Sequence, residues 1–129
     1  MMREFYASDA VYTNGSDEIF ERDIDECISP SPYADGYVIE EGCEVIGYGM
    51  IARSYSTEFG RRCVWIEDIY IKAEHRGCGY GTRFIEYIKS ENPGALLRLE
   101  AEAENVPALS VYKKCGFDFL PYLEMKNLI

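Results

Sequence analysis

The amino-acid sequence predicts a single domain over residues 1–129, of the α/β (α+β) class, with a mixed, mostly antiparallel sheet flanked by helices. Two observations lead to this prediction. After a first helix, strand-like and helix-like segments follow in the order β-β-β-α-β-α-β. The early strands are joined by short turns, as in hairpins, whereas helical segments separate the later ones, as in crossovers between parallel strands.

One helix and two strands are expected in the first part of the chain. Ser16 stands before two acidic residues and an apolar stripe at helical spacing, so we expect it to cap a helix that ends at the prolines after Ser29. Residues 37–40 and 44–52 have strand patterns on either side of a Glu-Gly turn. Residues 54–61 are predicted to form a polar loop.

The middle of the chain is predicted to contain a strand, a glycine-rich loop and a helix. Residues 64–71 are apolar and strand-like, and they include the acidic pair Glu67 and Asp68. The helix is expected over residues 80–91, because three apolar residues mark a buried face and Asn-Pro-Gly follows. Another strand is expected at residues 95–101.

A helix and a strand are expected to complete the domain. Asn105 can cap a helix that runs through Lys114, and Gly116 then provides the left-handed stop. Residues 117–125 are predicted to form the last strand. Because Pro121 lacks an N–H group, this strand should lie at a sheet edge or contain a bulge.

Charge and cysteine content restrict the class of protein. The formal net charge is −10, and all of it lies in the first 50 residues, which argues against nucleic acid as a partner. A cationic small molecule fits such a surface, although acidic surface also aids solubility. An odd number of cysteines without a C-x-x-C pair indicates neither a disulfide framework nor a metal site. With no apolar run of membrane length, a cytoplasmic protein without a membrane partner is expected.

The segment from Arg76 to Thr82 contains three glycines between a strand and a helix. Glycine allows close approach of a ligand to the backbone, and a helix start offers unpaired N–H groups, which together predict a phosphate or diphosphate site. A P-loop would need a lysine after the glycines, and a dinucleotide-binding fingerprint would need G-x-G-x-x-G spacing. The sequence has neither and instead matches R-x-x-G-x-G after a strand that carries acids.

Two separated blocks resemble the GNAT family of GCN5-related N-acetyltransferases. The first joins Trp65-Ile66-Glu67-Asp68-Ile69-Tyr70-Ile71 to the glycine loop. The second, residues 105–117, is similar to the family segment N-x-x-A-x-x-x-Y-x-x-x-G-F. The resemblance implies the acyl-CoA N-acyltransferase fold, acetyl-CoA as donor and an amine as acceptor.

The resemblance also implies which residues hold acetyl-CoA. Main-chain N–H groups of the loop would bind the diphosphate, Arg76 would add charge or brace the loop, and Asn105 would bond the pantetheine arm. Backbone groups of the preceding strand would contact that arm as well. The strand and loop residues implied are Ile69, Tyr70, Ile71, Gly77, Cys78, Gly79, Tyr80, Gly81 and Thr82.

Amine acetylation needs a base and an acid, because a lysine-like amine is protonated at neutral pH and the thiolate must leave. Glu67 is the first candidate for the base and Asp68 the second. Strand alternation places them on opposite faces, so that only one should face the cleft. Tyr112 matches the family tyrosine that protonates the thiolate and also borders the cofactor.

Residues 1–6 resemble the tail of the first helix of the family pattern. The family's first strand, and most of that helix, are therefore expected to be missing from this chain. The exposed sheet edge could be covered in a homodimer, and a truncated gene product or an alternative start explains the difference equally well. The leading hypothesis for function is acetylation of a small cationic amine. Two other hypotheses are acetylation of protein lysines or N-termini, and coenzyme A binding without catalysis.

Overall fold

A computed structural model describes all 129 residues, Met1–Ile129. Its four α-helices are α1 (Met2–Tyr6), α2 (Asp17–Ile28), α3 (Tyr80–Glu91) and α4 (Val106–Lys114). Its four strands are β1 (Ala34–Glu41), β2 (Glu44–Ser56), β3 (Arg61–Ile71) and β4 (Leu96–Leu99). A short 3₁₀ turn, Ala73–His75, lies between β3 and α3. None of the helices is long and apolar enough to cross a bilayer.

The four strands form one mixed sheet in the order β1-β2-β3-β4. Strands β1, β2 and β3 are antiparallel neighbours, whereas β3 and β4 run parallel through a crossover that contains α3. The α+β class and the mixed sheet with flanking helices are thereby confirmed. Parallel pairing is limited to four residue pairs, from Cys63 with Leu96 to Ile66 with Leu99.

The hydrophobic core lies between the sheet and α3. Helix α3 contributes three apolar residues from one face, as its 3.6-residue periodicity requires. The buried members of this core are Ile51, Val64, Ile66, Phe84, Ile85, Ile88 and Cys115. This packing holds the first turn of α3 against the end of β3, which is where the glycine loop connects them.

Helix boundaries agree with the caps expected from the sequence. The Ser16 hydroxyl accepts a hydrogen bond from the Ile19 N–H at 3.3 Å, at the start of α2. The Asn105 side chain accepts one from the Ala108 N–H at 3.4 Å, at the start of α4. Gly116 has φ +89° just after α4, in the left-handed conformation expected of a stop residue.

The predicted last strand is wrong. Residues 117–125 form no strand, and beyond the Phe117 N–H no residue of this segment makes a main-chain hydrogen bond. Two physical reasons account for the difference: Pro121 has no N–H to donate, and β4 offers only four residues for pairing. The sheet therefore ends at β4.

Strand lengths also differ from the sequence prediction. Strand β2 continues to Ser56 and β3 begins at Arg61, so the predicted polar loop is reduced to a four-residue turn at 57–60. The polar residues at the end of β2 have no strand pattern by themselves, but they adopt the strand conformation because they pair with β3. Strand β4 is shorter than the predicted 95–101 segment.

A β-bulge at Glu67 changes the direction of the side chains in β3. Met50 pairs with Asp68 whereas Ile51 pairs with Ile66, so Glu67 has no partner in β2. An extra residue in one strand breaks the alternation of faces. The expectation that only one of Glu67 and Asp68 could face the cleft is therefore wrong, because both line the same cavity.

Candidate active site

The glycine loop presents an unusual row of free main-chain donors. Gly77 and Gly79 have φ +75° and +84°, a conformation that favours glycine, and Gly79 is the residue just before α3. None of the six N–H groups at residues 77–82 donates to a main-chain or side-chain acceptor. Added Cβ atoms at Gly77, Gly79 or Gly81 would meet nothing within 4 Å. The loop therefore forms an open cradle suited to an anion.

Arg76 connects this loop to the end of β3. Its Nε donates a hydrogen bond of 2.7 Å to the carbonyl oxygen of Ile71, the last residue of β3. Its guanidinium also lies 5.5 Å from the centre of the Tyr70 ring. These contacts join the two ends of the connection between β3 and the loop, and they leave a positive charge beside the cradle.

A cavity of about 640 Å³ runs from the cradle between β3 and α4. Of the residues expected to hold the cofactor, all except Cys78 line it: Ile69, Tyr70, Ile71, Arg76, Gly77, Gly79, Tyr80, Gly81, Thr82, Asn105 and Tyr112. The Cys78 side chain is exposed and its Sγ lies 3.7 Å from the Arg76 carbonyl oxygen, as a weak donor. We refer to this space as the donor cavity.

The end of the parallel pairing creates room for the donor cavity. Strand β3 pairs with β4 only as far as Ile66, and its last five residues continue without a partner on that side. Ile69, Tyr70 and Ile71 lie in this unpaired stretch, and all three line the cavity. An extended ligand with amide groups can therefore lie along β3 in the place that another strand would take.

A second cavity of about 570 Å³ adjoins the first, and we call it the acceptor cavity. Asn105 and Tyr112 line both cavities. The acceptor cavity is acidic, because five carboxyl side chains line it: Glu67, Asp68, Glu100, Glu102 and Glu124. No basic side chain lines it. Such walls favour a positively charged ligand.

Glu67 is an accessible carboxylate whose pKa is raised. Desolvation by the cavity walls is the main cause, even though much of the side chain remains exposed, and the negative charges of Asp68, Glu124 and Asp23 add to it. Burial and a hydrogen bond with Glu124 likewise raise the pKa of Glu100 to about 7. A raised pKa makes the ionised form of such a carboxyl group a stronger proton acceptor.

Asp68 differs from Glu67 in having its oxygens occupied. It is 3% exposed, and its two oxygens accept hydrogen bonds from the hydroxyls of Tyr6 at 3.0 Å and Tyr48 at 2.8 Å. Burial raises the pKa of Asp68, and these two bonds oppose that rise. Asp68 therefore bonds to side chains of the protein and is nearly inaccessible to an incoming ligand.

Tyr112 lies where the two cavities meet. It projects from α4, and its ring packs edge-on to Phe117 with 6.1 Å between centroids. Burial raises the pKa of the Tyr112 hydroxyl, so the phenol stays protonated at neutral pH and can donate a proton.

Several lining residues had no signal in the sequence. Phe5 and Ala10 line both cavities, and Tyr6 contacts Asp68 from 62 residues away in the chain. Glu100 and Glu124 form a side-chain hydrogen bond although they are far apart in the chain. In the sequence, Glu100 is seen only as an acidic residue after an apolar segment, and Phe5-Tyr6 only as an aromatic pair, and neither pattern predicts a place in a cavity.

The sequence profile of the acetyltransferase (GNAT) family matches residues 1–117. The chain belongs to this family. The resemblance of the two sequence blocks to the GNAT family is thereby confirmed, and so is the fold that it implied. An integron cassette protein from the Cole Harbour Salt Marsh metagenome shares this fold with a TM-score of 0.74 and 22% identity, over 99% of this chain and 80% of that chain.

Two curated acetyltransferases match part of the chain. It is 38% identical to the thialysine N-epsilon-acetyltransferase of Bos taurus over 79 residues, which are 59% of this chain and 46% of that protein. It is 32% identical to the streptothricin acetyltransferase of Escherichia coli over 100 residues, which are 69% of this chain and 58% of that protein. The chain thus spans about half the length of these relatives.

Proposed function

We propose that this chain is an N-acetyltransferase that transfers the acetyl group of acetyl-CoA to a primary amine of a small cationic molecule. One observation carries the proposal: a cradle of six free N–H groups opens into a cavity that meets an acidic cavity at Tyr112. Membership of the acetyltransferase family and the curated relatives, which are named for thialysine and streptothricin, support it.

The donor cavity fits the diphosphate and the pantetheine arm of coenzyme A. The diphosphate would take the N–H groups at residues 77–82 and the dipole of α3. The pantetheine arm would lie along the unpaired end of β3, within reach of Asn105. A cofactor bound in this way would direct its thioester toward Tyr112 and the acceptor cavity.

The acceptor cavity fits a small molecule with more than one positive charge. Its five carboxyl groups would attract and hold ammonium groups. One of them, Glu67, lies at the bulge in β3, just before the stretch along which the pantetheine arm would lie. A concave space of about 570 Å³ suits a free amine better than an extended peptide. This is why a small amine is preferred to a protein lysine or an N-terminus.

The residues support direct attack of the amine on the thioester. Glu67, directly or through water, takes the ammonium proton, and the freed nitrogen lone pair forms a C–N bond to the carbonyl carbon. A main-chain N–H at the end of β3 would stabilise the developing negative charge on oxygen. The C–S bond then breaks and Tyr112 protonates the thiolate. Of the two protons left on nitrogen, one restores the phenol and the other stays on the amide. Glu67 then gives its proton to solvent, so the reaction releases one proton overall.

Thiol release from acetyl-CoA with a panel of amines tests the function directly. We expect turnover with free di- or polycationic amines such as thialysine, putrescine or neamine. Turnover with lysine peptides or peptide N-termini alone would assign a protein substrate instead. Binding of coenzyme A without release of thiol, for any amine, would identify a non-catalytic module.

Replacing Tyr112 by Phe tests the acid. Without the hydroxyl the thiolate leaves unprotonated, so kcat should fall by about 100-fold or more. The Kd for coenzyme A should change by less than about threefold, because the ring and its packing remain. Tyr87→Phe, on the exposed side of α3 and away from both cavities, is the matched control. Equal kcat in Tyr112→Phe and wild type would remove Tyr112 from the mechanism.

The pH dependence of kcat tests Glu67 as the base. Only the ionised carboxylate accepts a proton, so kcat should be lost as pH falls through the pKa of Glu67. Because burial and neighbouring charges raise this pKa, the acidic limb should lie above the pH at which an ordinary glutamate titrates. Glu67→Gln should abolish that limb and lower kcat by about 100-fold, whereas the exposed Glu91→Gln should do neither. A limb that persists in Glu67→Gln would assign the base elsewhere.

A further inference from the structure

The N-terminal segment Met2–Tyr12, which we call the N-terminal wall, closes both cavities on one side. It consists of α1 and the chain that follows it. Phe5 and Ala10 line the donor and acceptor cavities alike, and Tyr6 and Tyr12 line the acceptor cavity. The position of this wall therefore sets the shape of the space in which an amine would meet the thioester.

Apart from a bond to the adjacent Met1, no main-chain hydrogen bond joins the N-terminal wall to the rest of the protein. The amide of Phe5 donates to the Met1 carbonyl oxygen, and the amides of Ala7 and Ser8 donate to the carbonyl oxygens of Arg3 and Phe5. Helix α1 has five residues, too few to be stable by itself. Side chains must therefore hold the wall against the sheet.

Most of the side-chain anchors of the wall are exposed to solvent. Arg3 pairs with Asp17 at 2.7 Å, with both side chains more than half exposed, and Glu4 accepts from the Tyr70 hydroxyl. Exposed ion pairs of this type contribute little. Phe5 adds edge contacts with Tyr48 and Tyr70, at 6.3 and 6.4 Å between ring centroids. The Tyr6 ring also packs against the buried Phe20, with 5.2 Å between ring centroids. None of these contacts ends on a buried charged group.

The buried anchor is the hydrogen bond from Tyr6 to Asp68. Asp68 is 3% exposed and follows the bulged Glu67 directly in β3. One of its oxygens accepts from Tyr6 of the wall, and the other accepts from Tyr48 of β2. Hydrogen bonds to an ionised acceptor in such a site are stronger than neutral ones. A single carboxylate thus joins the wall, the central strands and the bulge.

We propose that Asp68 is a positioning residue that holds the N-terminal wall, through Tyr6, in the place where it completes the acceptor cavity. This inference rests on the proposed function, because it assigns the wall a part in binding the amine. Glu67 keeps the chemical role, and Asp68 acts through the hydroxyl of Tyr6 rather than on the substrate.

Two tyrosine variants form a matched pair for the test. Tyr6→Phe and Tyr48→Phe each remove one hydroxyl donor to Asp68 and leave an aromatic ring. Only Tyr6 belongs to the wall, and Tyr48 lines neither cavity. A general effect of weakening Asp68 should appear in both variants, whereas release of the wall should appear in Tyr6→Phe alone.

Hydrogen exchange measures the wall without any need for turnover. In Tyr6→Phe the amides of Phe5, Ala7 and Ser8 should exchange about tenfold faster than in wild type, since a bond to a charged group is lost. In Tyr48→Phe they should stay within about twofold of wild type. Equal exchange in Tyr6→Phe and wild type would overturn the proposal, whatever the outcome of the amine panel.

Steady-state kinetics with an active amine supplies the second readout. In Tyr6→Phe we expect KM for the amine to rise about tenfold, with kcat within about threefold of wild type. The Kd for coenzyme A should change less than the amine KM, because no hydrogen bond joins residues 77–82 to the wall. A rise in KM of the same size in Tyr48→Phe would show a structural effect of Asp68 and overturn the assignment to the wall.

Asp68→Asn keeps the test decisive if Tyr6→Phe does not fold. A neutral amide oxygen accepts a weaker hydrogen bond, so exchange in the wall and KM for the amine should rise in the same directions. A fall of about 100-fold in kcat with unchanged exchange in the wall would place Asp68 in the chemical step and contradict the proposal.

Discussion

The site depends on one constraint: α3 begins without partners for its first N–H groups. A helix start always leaves such donors, and here the glycines before it extend the row to six, because Gly77 and Gly79 take a left-handed conformation. Packing of α3 on the sheet and the bond from Arg76 to Ile71 hold this row at the end of β3. Its position relative to the two cavities is therefore a consequence of the core.

The separation of β3 from β4 turns this anion cradle into a site for an extended molecule. Pairing stops after four residues, and the remaining part of β3 offers its free edge to the donor cavity. The bulge at Glu67 then brings two adjacent carboxyl groups to one cavity, where they have different surroundings. Asp68 is buried and accepts hydrogen bonds from two tyrosines, whereas Glu67 remains accessible, and this difference is the basis for assigning them different roles.

Local signals in the sequence were sufficient for α2, α3, α4 and the glycine loop, but not for α1. The caps at Ser16 and Asn105 act within one turn, so their helices could be placed from neighbouring residues alone. Residues 117–125 failed as a strand because a strand also needs a partner edge, and β4 is too short to provide one. The direction of Glu67 depends on the register with β2, and the contact of Tyr6 with Asp68 spans 62 residues. Neither follows from a local pattern.

Isothermal titration calorimetry with coenzyme A and with pantetheine tests the central claim most directly. If the N–H groups of residues 77–82 bind the diphosphate, coenzyme A should bind with one-to-one stoichiometry and pantetheine at least about 100-fold more weakly. Gly79→Ala, which strains the loop and adds a methyl group to the cradle, should reduce the difference between the two ligands. Equal affinity for coenzyme A and pantetheine, or no binding of coenzyme A, would contradict the account.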